Sequence, residues 1–396
     1  MVTPEKIEEW IQEVQQRPST ASTIIQYIAN RLRELDDWNE KLRGENLDLR
    51  SGSRVDEYER EIKTLKYQLD LLKRQFNGGV DELGMEVTPV ETEPEIKTML
   101  VYGPNGGVAR VNVERNSLED GGIVCRINNY PAIESEPPRL LVVPSTEELM
   151  FIFTSGRIIT LPAASIKPIE DSSVGVDWGE AYIPAEPNIG ETLACISPIT
   201  RISLSDFYLQ VSRRGFSKKI RVALASSIID NKFIGTGVKV AADQVLNLYM
   251  GSAGERFVFV SYEGYLRYIP EELMPFAIVE AMRLGKSDHL VSVFTLAEDQ
   301  SVLVMTQIGK VIHRSVESLD LAKELTRKGR MIYSTSRREQ GVRVIGASAV
   351  SEGDWGIVLH QDGTVTCHPI SDLIGSGSIP VNGELIDFTT FSNIEC

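Results

Sequence analysis

The segment VSRRGFSKKI, residues 211–220, sets Arg213, Arg214, Lys218 and Lys219 around a single glycine. Four cations so close together suit phosphate binding, where each Lys or Arg that neutralises a phosphate releases condensed counterions. The fifty residues from 201 to 250 hold 8 Lys and Arg against 3 Asp and Glu. A second basic run, KELTRKGRMIYSTSRR at 323–338, holds 6 against 1. A duplex path is therefore expected over Arg213, Arg214, Lys218, Lys219, Arg221, Lys232 and Lys239 to Arg327, Lys328, Arg330, Arg337 and Arg338, with Phe216, Tyr265 and Tyr333 nearby in sequence. The whole chain opposes that expectation, because its net charge is −15. On the alternative reading these cations are solvated hairpin tips among charges of both signs, and the protein is a scaffold for a protein partner. As tips they should be exposed and contribute little to stability.

Other reactive residues are sparse. Cys125, Cys195, Cys367 and Cys396 stand far apart, without a CxxC pair or a histidine at ligand spacing, so neither a disulfide framework nor a zinc site is expected. His360, Cys367 and His368 share one hairpin. With a two-residue loop at Asp362-Gly363, His360 faces Val365 and His368 faces Ile357, which does not converge three ligands. The tryptophan-flanked acids of DWGE (177–180) and EGDW (352–355) could bind a cation or close a turn, and the turn is the favoured reading. No phosphate loop and no nucleophile with a neighbouring base is present, so the chain reads as a non-enzyme without metal or cofactor. It lacks a run of about 18 apolar residues, and its first ten residues have no apolar signal segment, so no membrane span and a reducing cytoplasm are expected.

The elements that carry these residues repeat. MLVYGPNGGVARV, LMFIFTSGRIITL, YLQVSRRGFSKKI, FVFVSYEGYLRYI, VLVMTQIGKVIHR and GIVLHQDGTVTCH each read as strand, two-residue loop ending in glycine, strand. The turn glycines are Gly106, Gly156, Gly215, Gly264, Gly309 and Gly363, spaced by 50, 59, 49, 45 and 54 residues. Glycine is expected there because tight hairpin turns need positive φ. A period near fifty residues with short strands is the signature of a propeller, here six-bladed and closed or nearly closed. The third hairpin is thus the basic segment itself.

In combination these repeats resemble the C-terminal domain of the DNA gyrase and topoisomerase IV A subunits, a six-bladed β-pinwheel. Ser or Thr stands three residues before the glycine in VSRRG, VSYEG and MTQIG, and a basic residue follows it in GFSKK, GYLR and GKVIHR. FIGTGVKVAADQ and SRREQGVRVIGASAVSEGD resemble the family's Gly-Val arm before an acidic turn. The resemblance covers 97–394, is best over 203–372, and implies a DNA-wrapping surface along the perimeter. The family's catalytic half is missing, and no tyrosine lies in the context used for DNA cleavage. The gyrase box QRRGGKG is absent as a connecting loop. SRRGFSKK lies inside a blade hairpin, so the box's role is not carried onto it.

Ahead of the repeats, the composition is helical. YEREIKTLKYQLDLLKRQF places Tyr58, Ile62, Leu65, Leu69, Leu72 and Phe76 on a 4-3-4-3-4 heptad seam with charged flanks. Residues 1–77 are expected to form a coiled-coil stalk, as a parallel dimer or an intrachain hairpin. Residues 78–96, rich in acids, Gly and Pro, read as a solvated linker to the pinwheel at 97–396.

Overall fold

The computed structural model describes residues 97–113, 122–129, 137–168, 176–178, 181–184, 186–200, 205–235 and 243–392, with Trp10, Ala21, Ile25, Gln26, Ile28 and Ala29. The heptad seam Tyr58–Phe76, the linker and Lys239 lie outside the described residues. The chain divides into two compact units, Met1–Glu91 and Thr92–Cys396. The second is mainly β and contains everything that follows.

Six hairpins follow one another along it. The first is β1 (Lys97–Tyr102) and β2 (Val108–Asn112), followed by β3 (Ile123–Asn128) and β4 (Arg139–Pro144). The second is β5 (Glu148–Phe153) and β6 (Ile158–Pro162), then β7 (Val176–Asp177) and β8 (Leu193–Pro198). The third is β9 (Phe207–Ser212) and β10 (Phe216–Arg221), with helix α1 (Ala225–Asp230) and β11 (Val245–Gly251). The fourth is β12 (Arg256–Ser261) and β13 (Tyr265–Pro270), then β14 (Val279–Glu280) and β15 (Leu290–Thr295). The fifth is β16 (Ser301–Thr306) and β17 (Val311–Ser315), then β18 (Arg330–Met331), helix α2 (Thr335–Glu339) and β19 (Val344–Val350). The sixth is β20 (Trp355–His360) and β21 (Thr364–Pro369), then helix α3 (Ile370–Ser376) and β22 (Leu385–Phe391). In every blade the last strand returns to pair antiparallel with the first strand of the hairpin.

The hairpin strands are apolar on both faces because each blade stands between two others. Alternate residues feed opposite cores, as the period of two requires. Phe257 and Phe259 enter the core shared with the third blade, while Val258 and Val260 enter the core shared with the fifth. Val302 and Val304 likewise face the fourth blade, and Leu303 and Met305 the sixth. Each such side chain contributes about 1.5–3 kcal/mol on burial.

The arm after each hairpin reaches back onto the preceding blade. β14 extends the third blade's sheet and β18 the fourth's. Single bridges do the same elsewhere, joining Val108 to Tyr182, Arg157 to Phe233 and Lys310 to Ser378. The first blade's arm closes the circle: β3 pairs with β21 in the register Thr364–Arg126 and Val365–Cys125. A core spanning the first and sixth blades, including Met99, Val101, Ile357 and Leu359, seals that junction. The ring is therefore closed by strand exchange.

The hairpin loops correct one sequence expectation. They contain three residues, not two: Gly215 N–H donates to Ser212 O at 3.1 Å and Gly264 N–H to Ser261 O at 3.0 Å. In this three-residue loop the glycine occupies the left-handed region, with φ of 87° at Gly215 and 85° at Gly264. All six turn glycines have positive φ. The Ser or Thr three residues earlier has a definite task. The hydroxyls of Ser212, Ser261 and Thr306 accept the N–H groups of Phe216, Tyr265 and Lys310 at 3.0–3.1 Å. The glycine carbonyls then dock the incoming arms. Gly156, Gly264, Gly309 and Gly363 accept from Ile234, Ile332, Ile379 and Ile127 at 2.8–2.9 Å.

Candidate nucleic-acid interface

The third hairpin is not a solvated tip. None of residues 211–220 is exposed, because the arm of the fourth blade crosses it. Arg213 points to the ring axis, where it lines a cavity with Tyr262 and Arg343. The Arg214 guanidinium donates to the carbonyls of Gly285 at 3.0 Å, Lys286 at 3.2 Å and Asp288. Its own N–H is held by Asp243 Oδ1 at 3.0 Å. Lys219, 7% exposed, pairs with Glu271 and lies 4.8 Å from the centroid of Phe207. Lys218 is half-buried, with Nζ 3.5 Å from Gly235 O, and burial pushes its ammonium pKa down. Arg214, Lys218 and Lys219 thus serve contacts within and around their own blade. Arg221 alone at this end of the segment is exposed, 5.2 Å from the centroid of Phe276. Phe276 is itself exposed, whereas Tyr265 and Tyr333 are buried.

The second basic run stays near the surface. Arg327 is bonded to Glu324 at 2.7 Å, and Arg330 to Asp320 at 3.0 Å; all four are exposed. Lys328 Nζ stands 4.0 Å over the Tyr265 phenol. Arg338 is half-buried, donating to Glu263 at 3.3 Å and to Tyr265 Oη at 3.0 Å. Arg337 is exposed on α2. Lys232 is exposed at φ 51°, and its carbonyl accepts Ile158 N–H at 3.0 Å.

The structure adds a basic groove in which Arg337 of the sequence-derived path meets three residues outside it, Lys310, His313 and Arg314. Lys310, His313 and Arg314 on the fifth hairpin face Tyr333, Ser334 and Arg337 across an open groove of about 590 Å³. Among the described residues, no Asp or Glu lines it. β17 is the edge strand of a three-stranded sheet. The arm of the sixth blade meets it near the turn, through the Lys310–Ser378 bridge and Val311 N–H donating to Gly377 O at 3.0 Å, and leaves His313 and Arg314 exposed beyond it. Arg314 is fixed by donating to Ile332 O at 3.1 Å, while His313, Arg314 and Arg337 remain exposed. The signal was present in GKVIHR, the basic residues after the fifth turn glycine.

The remaining candidates serve local structure. The three-residue loop shifts the sixth hairpin by one position, so His368 faces Gly356 and Cys367 faces Ile357. His360 and His368 thereby share the Thr366 hydroxyl, each at 2.9 Å, and burial lowers both imidazole pKa values. The Cys367 thiol is buried and pushed up to about 12. Among the described residues, no three His, Cys, Asp or Glu side chains gather as metal ligands. Asp354 of EGDW closes its turn by accepting Ser351 N–H at 2.7 Å. Trp178 of DWGE packs against Gly103 and Gly107 in the first hairpin loop.

The architecture has solved counterparts. The C-terminal domain of DNA gyrase A superposes with a TM-score of 0.58 at 15% identity, covering 74% of this chain and 99% of that domain. The ring has the gyrase A C-terminal fold. The C-terminal domain of DNA topoisomerase IV is a weaker match, at TM-score 0.45 and 16% identity, covering 75% of this chain and 93% of that one. No protein-family model and no curated protein matches the chain. Among the described residues, no helix is long and apolar enough to cross a membrane.

Proposed function

We propose that the ring binds duplex DNA along its perimeter and acts as a non-catalytic topology or nucleoid accessory factor. The observation that carries this reading is the groove of Lys310, His313, Arg314 and Arg337, which presents cations without a lining carboxylate on a gyrase-like pinwheel. Arg221, Lys232, Lys328 and the ion-paired Arg327 and Arg330 extend the exposed positive charge around the same fold. Arg214, Lys218, Lys219 and Arg338 are taken up by contacts within the fold beneath that surface, and Arg213 faces the axial cavity. Residues 1–77 act as a coiled-coil stalk pairing two copies through Tyr58, Ile62, Leu65, Leu69, Leu72 and Phe76, and 78–96 act as the linker. Two rings on one stalk raise avidity for a long duplex without new contacts. The chain needs no cofactor, and its setting is the cytoplasm.

A second reading, a scaffold presenting two rings to a protein partner, is favoured by the net charge of −15 and by the exposed apolar residues Tyr182, Ile183 and Ile189. Titration of linear duplex at about 50 and 200 mM salt separates the two, because phosphate contacts give a steep salt dependence. Binding at the lower salt that collapses at the higher supports DNA; none at either salt leaves the scaffold.

A further inference from the structure

The ring axis holds a cavity of about 630 Å³ walled by residues from all six blades. Three of them are arginines contributed by three blades: Arg139 at the start of β4, Arg213 in the third hairpin loop and Arg343 just before β19. Two carboxylates, Glu384 and Asp387, also reach the wall; Asp387 accepts Leu140 N–H through Oδ2 at 2.6 Å and interacts electrostatically with Arg139. One side is an aromatic stack. The Tyr262 phenol and the His289 imidazole lie 4.7 Å apart at 19°, and the Arg343 guanidinium stands 5.8 Å from the phenol centroid. Arg343 is held there by donating to the carbonyls of Arg338 and Val342, each at 2.8 Å.

Two buried arginines elsewhere in the ring do not line this cavity. Arg110 and Arg267 are each 6% exposed, and their guanidiniums are taken up by neighbouring carbonyls such as Ile166 O at 2.9 Å and Ala281 O at 2.9 Å. They pin arms to blades. Arg139, Arg213 and Arg343 instead border a space large enough for a small molecule, within the roughly 300–1,000 Å³ typical of ligand sites.

We propose that this axial cavity binds a small phosphorylated compound with at least two negative charges, held by Arg139, Arg213 and Arg343 and flanked by the Tyr262–His289 stack. Guanidinium is the side-chain group best matched to phosphate, since its planar fork donates two parallel N–H bonds. Partial enclosure by the blades lowers the local dielectric and strengthens those contacts relative to an open surface. The stack offers a flat apolar face to any planar part of the same ligand. His289 reports the local potential: burial, then Arg213, Arg139 and Arg214, hold its pKa down to about 4. A bound polyanion offsets those guanidiniums, so His289 titrates at a higher pH when the site is filled.

The test uses the full chain with pyrophosphate as probe, at roughly physiological salt. Calorimetry is expected to show saturable binding of one pyrophosphate per chain. R213Q and R343Q each weaken it by about tenfold or more, the equivalent of one lost charge-assisted contact, with circular dichroism unchanged. The NMR titration of His289 in the wild type moves upward when pyrophosphate is added, and this measurement stands even if a variant fails to fold. The proposal is overturned by lack of saturation into the millimolar range, by undiminished binding in both folded variants, or by an unmoved His289. Equal binding of citrate overturns the phosphate assignment.

Discussion

The phenol of Tyr333 occupies the space that a side chain at position 264 would need. The contact joins two blades, since Gly264 turns the fourth hairpin and Tyr333 belongs to the arm of the fifth. Ile332 N–H donates to Gly264 O at 2.9 Å beside it, and Tyr333 Oη donates to Val342 O at 2.8 Å. Gly264 is thus required twice, by φ of 85° and by the arm seated on it.

Gly254 provides the comparison. Its φ is 83°, but nothing lies within 4 Å of where its Cβ would stand. G254A should cost only the conformational term, about 1–2 kcal/mol. G264A adds the overpacking of Tyr333, a further ~1–3 kcal/mol. Denaturant unfolding of the two variants checks this, and equal losses would contradict the docking role of the turn.

The charges of the third hairpin divide by burial. K219E sets a second carboxylate against Glu271 in a site where both partners are largely buried. Breaking such a pair costs about 3–5 kcal/mol, so K219E should lower the melting temperature markedly. R221E, at an exposed position, should leave it within about 0.5 kcal/mol of wild type. Thermal unfolding decides between them, and a K219E protein as stable as R221E sinks the structural role of Lys219.

Acid sensitivity has one identifiable source at the second hairpin. Glu191 accepts from Arg157 at 2.6 Å, from Ser155 Oγ, and from Asn188 N–H at 2.8 Å. The Arg157 guanidinium above all, with the Ser155 and Asn188 donors, holds its carboxyl down at about 2 despite burial. The folded value lies below the unfolded one, so the stabilisation is fully present above about pH 4.5 and is lost as the pH falls toward 2. E191Q should be less stable than wild type at neutral pH, with the gap narrowing steadily below pH 4.5. A gap that stays constant down to about pH 2.5 contradicts the assignment.

Much of the ring was legible because its punctuation is local chemistry. The six turn glycines and the Ser or Thr before three of them follow from the backbone conformation of one loop, and they fix the blade count. Three things were not local. The loop length was misjudged by one residue, which inverted the expected facing of His360 and His368. The arms that cross each hairpin come from the next repeat, about fifty residues on, so sequence alone did not separate Arg213 and Lys219 from Arg221. The groove at Lys310 and Arg314 depends on β17 being left as an edge, a property of the neighbouring arm and not of GKVIHR.

Assembly is testable apart from DNA. Ring closure uses strands between Lys97 and Phe391 alone, so a fragment beginning at residue 92 should fold as a monomer. The full chain should be a dimer by light scattering, and L69E should split it by placing a charge in the heptad seam. A monomeric full chain would leave the intrachain hairpin as the reading of the stalk.

The most direct measurement of the central claim is duplex affinity of wild type and of R314E/R337E across a salt series. The account predicts wild-type binding at about 50 mM salt that weakens steeply by about 200 mM, with a log–log slope of roughly −0.9 per phosphate contacted. R314E/R337E should bind at least about tenfold more weakly with a slope shallower by about 2, at unchanged melting temperature. Wild-type protein that binds no duplex even at the lower salt, or a double variant that binds as tightly as wild type, would contradict it.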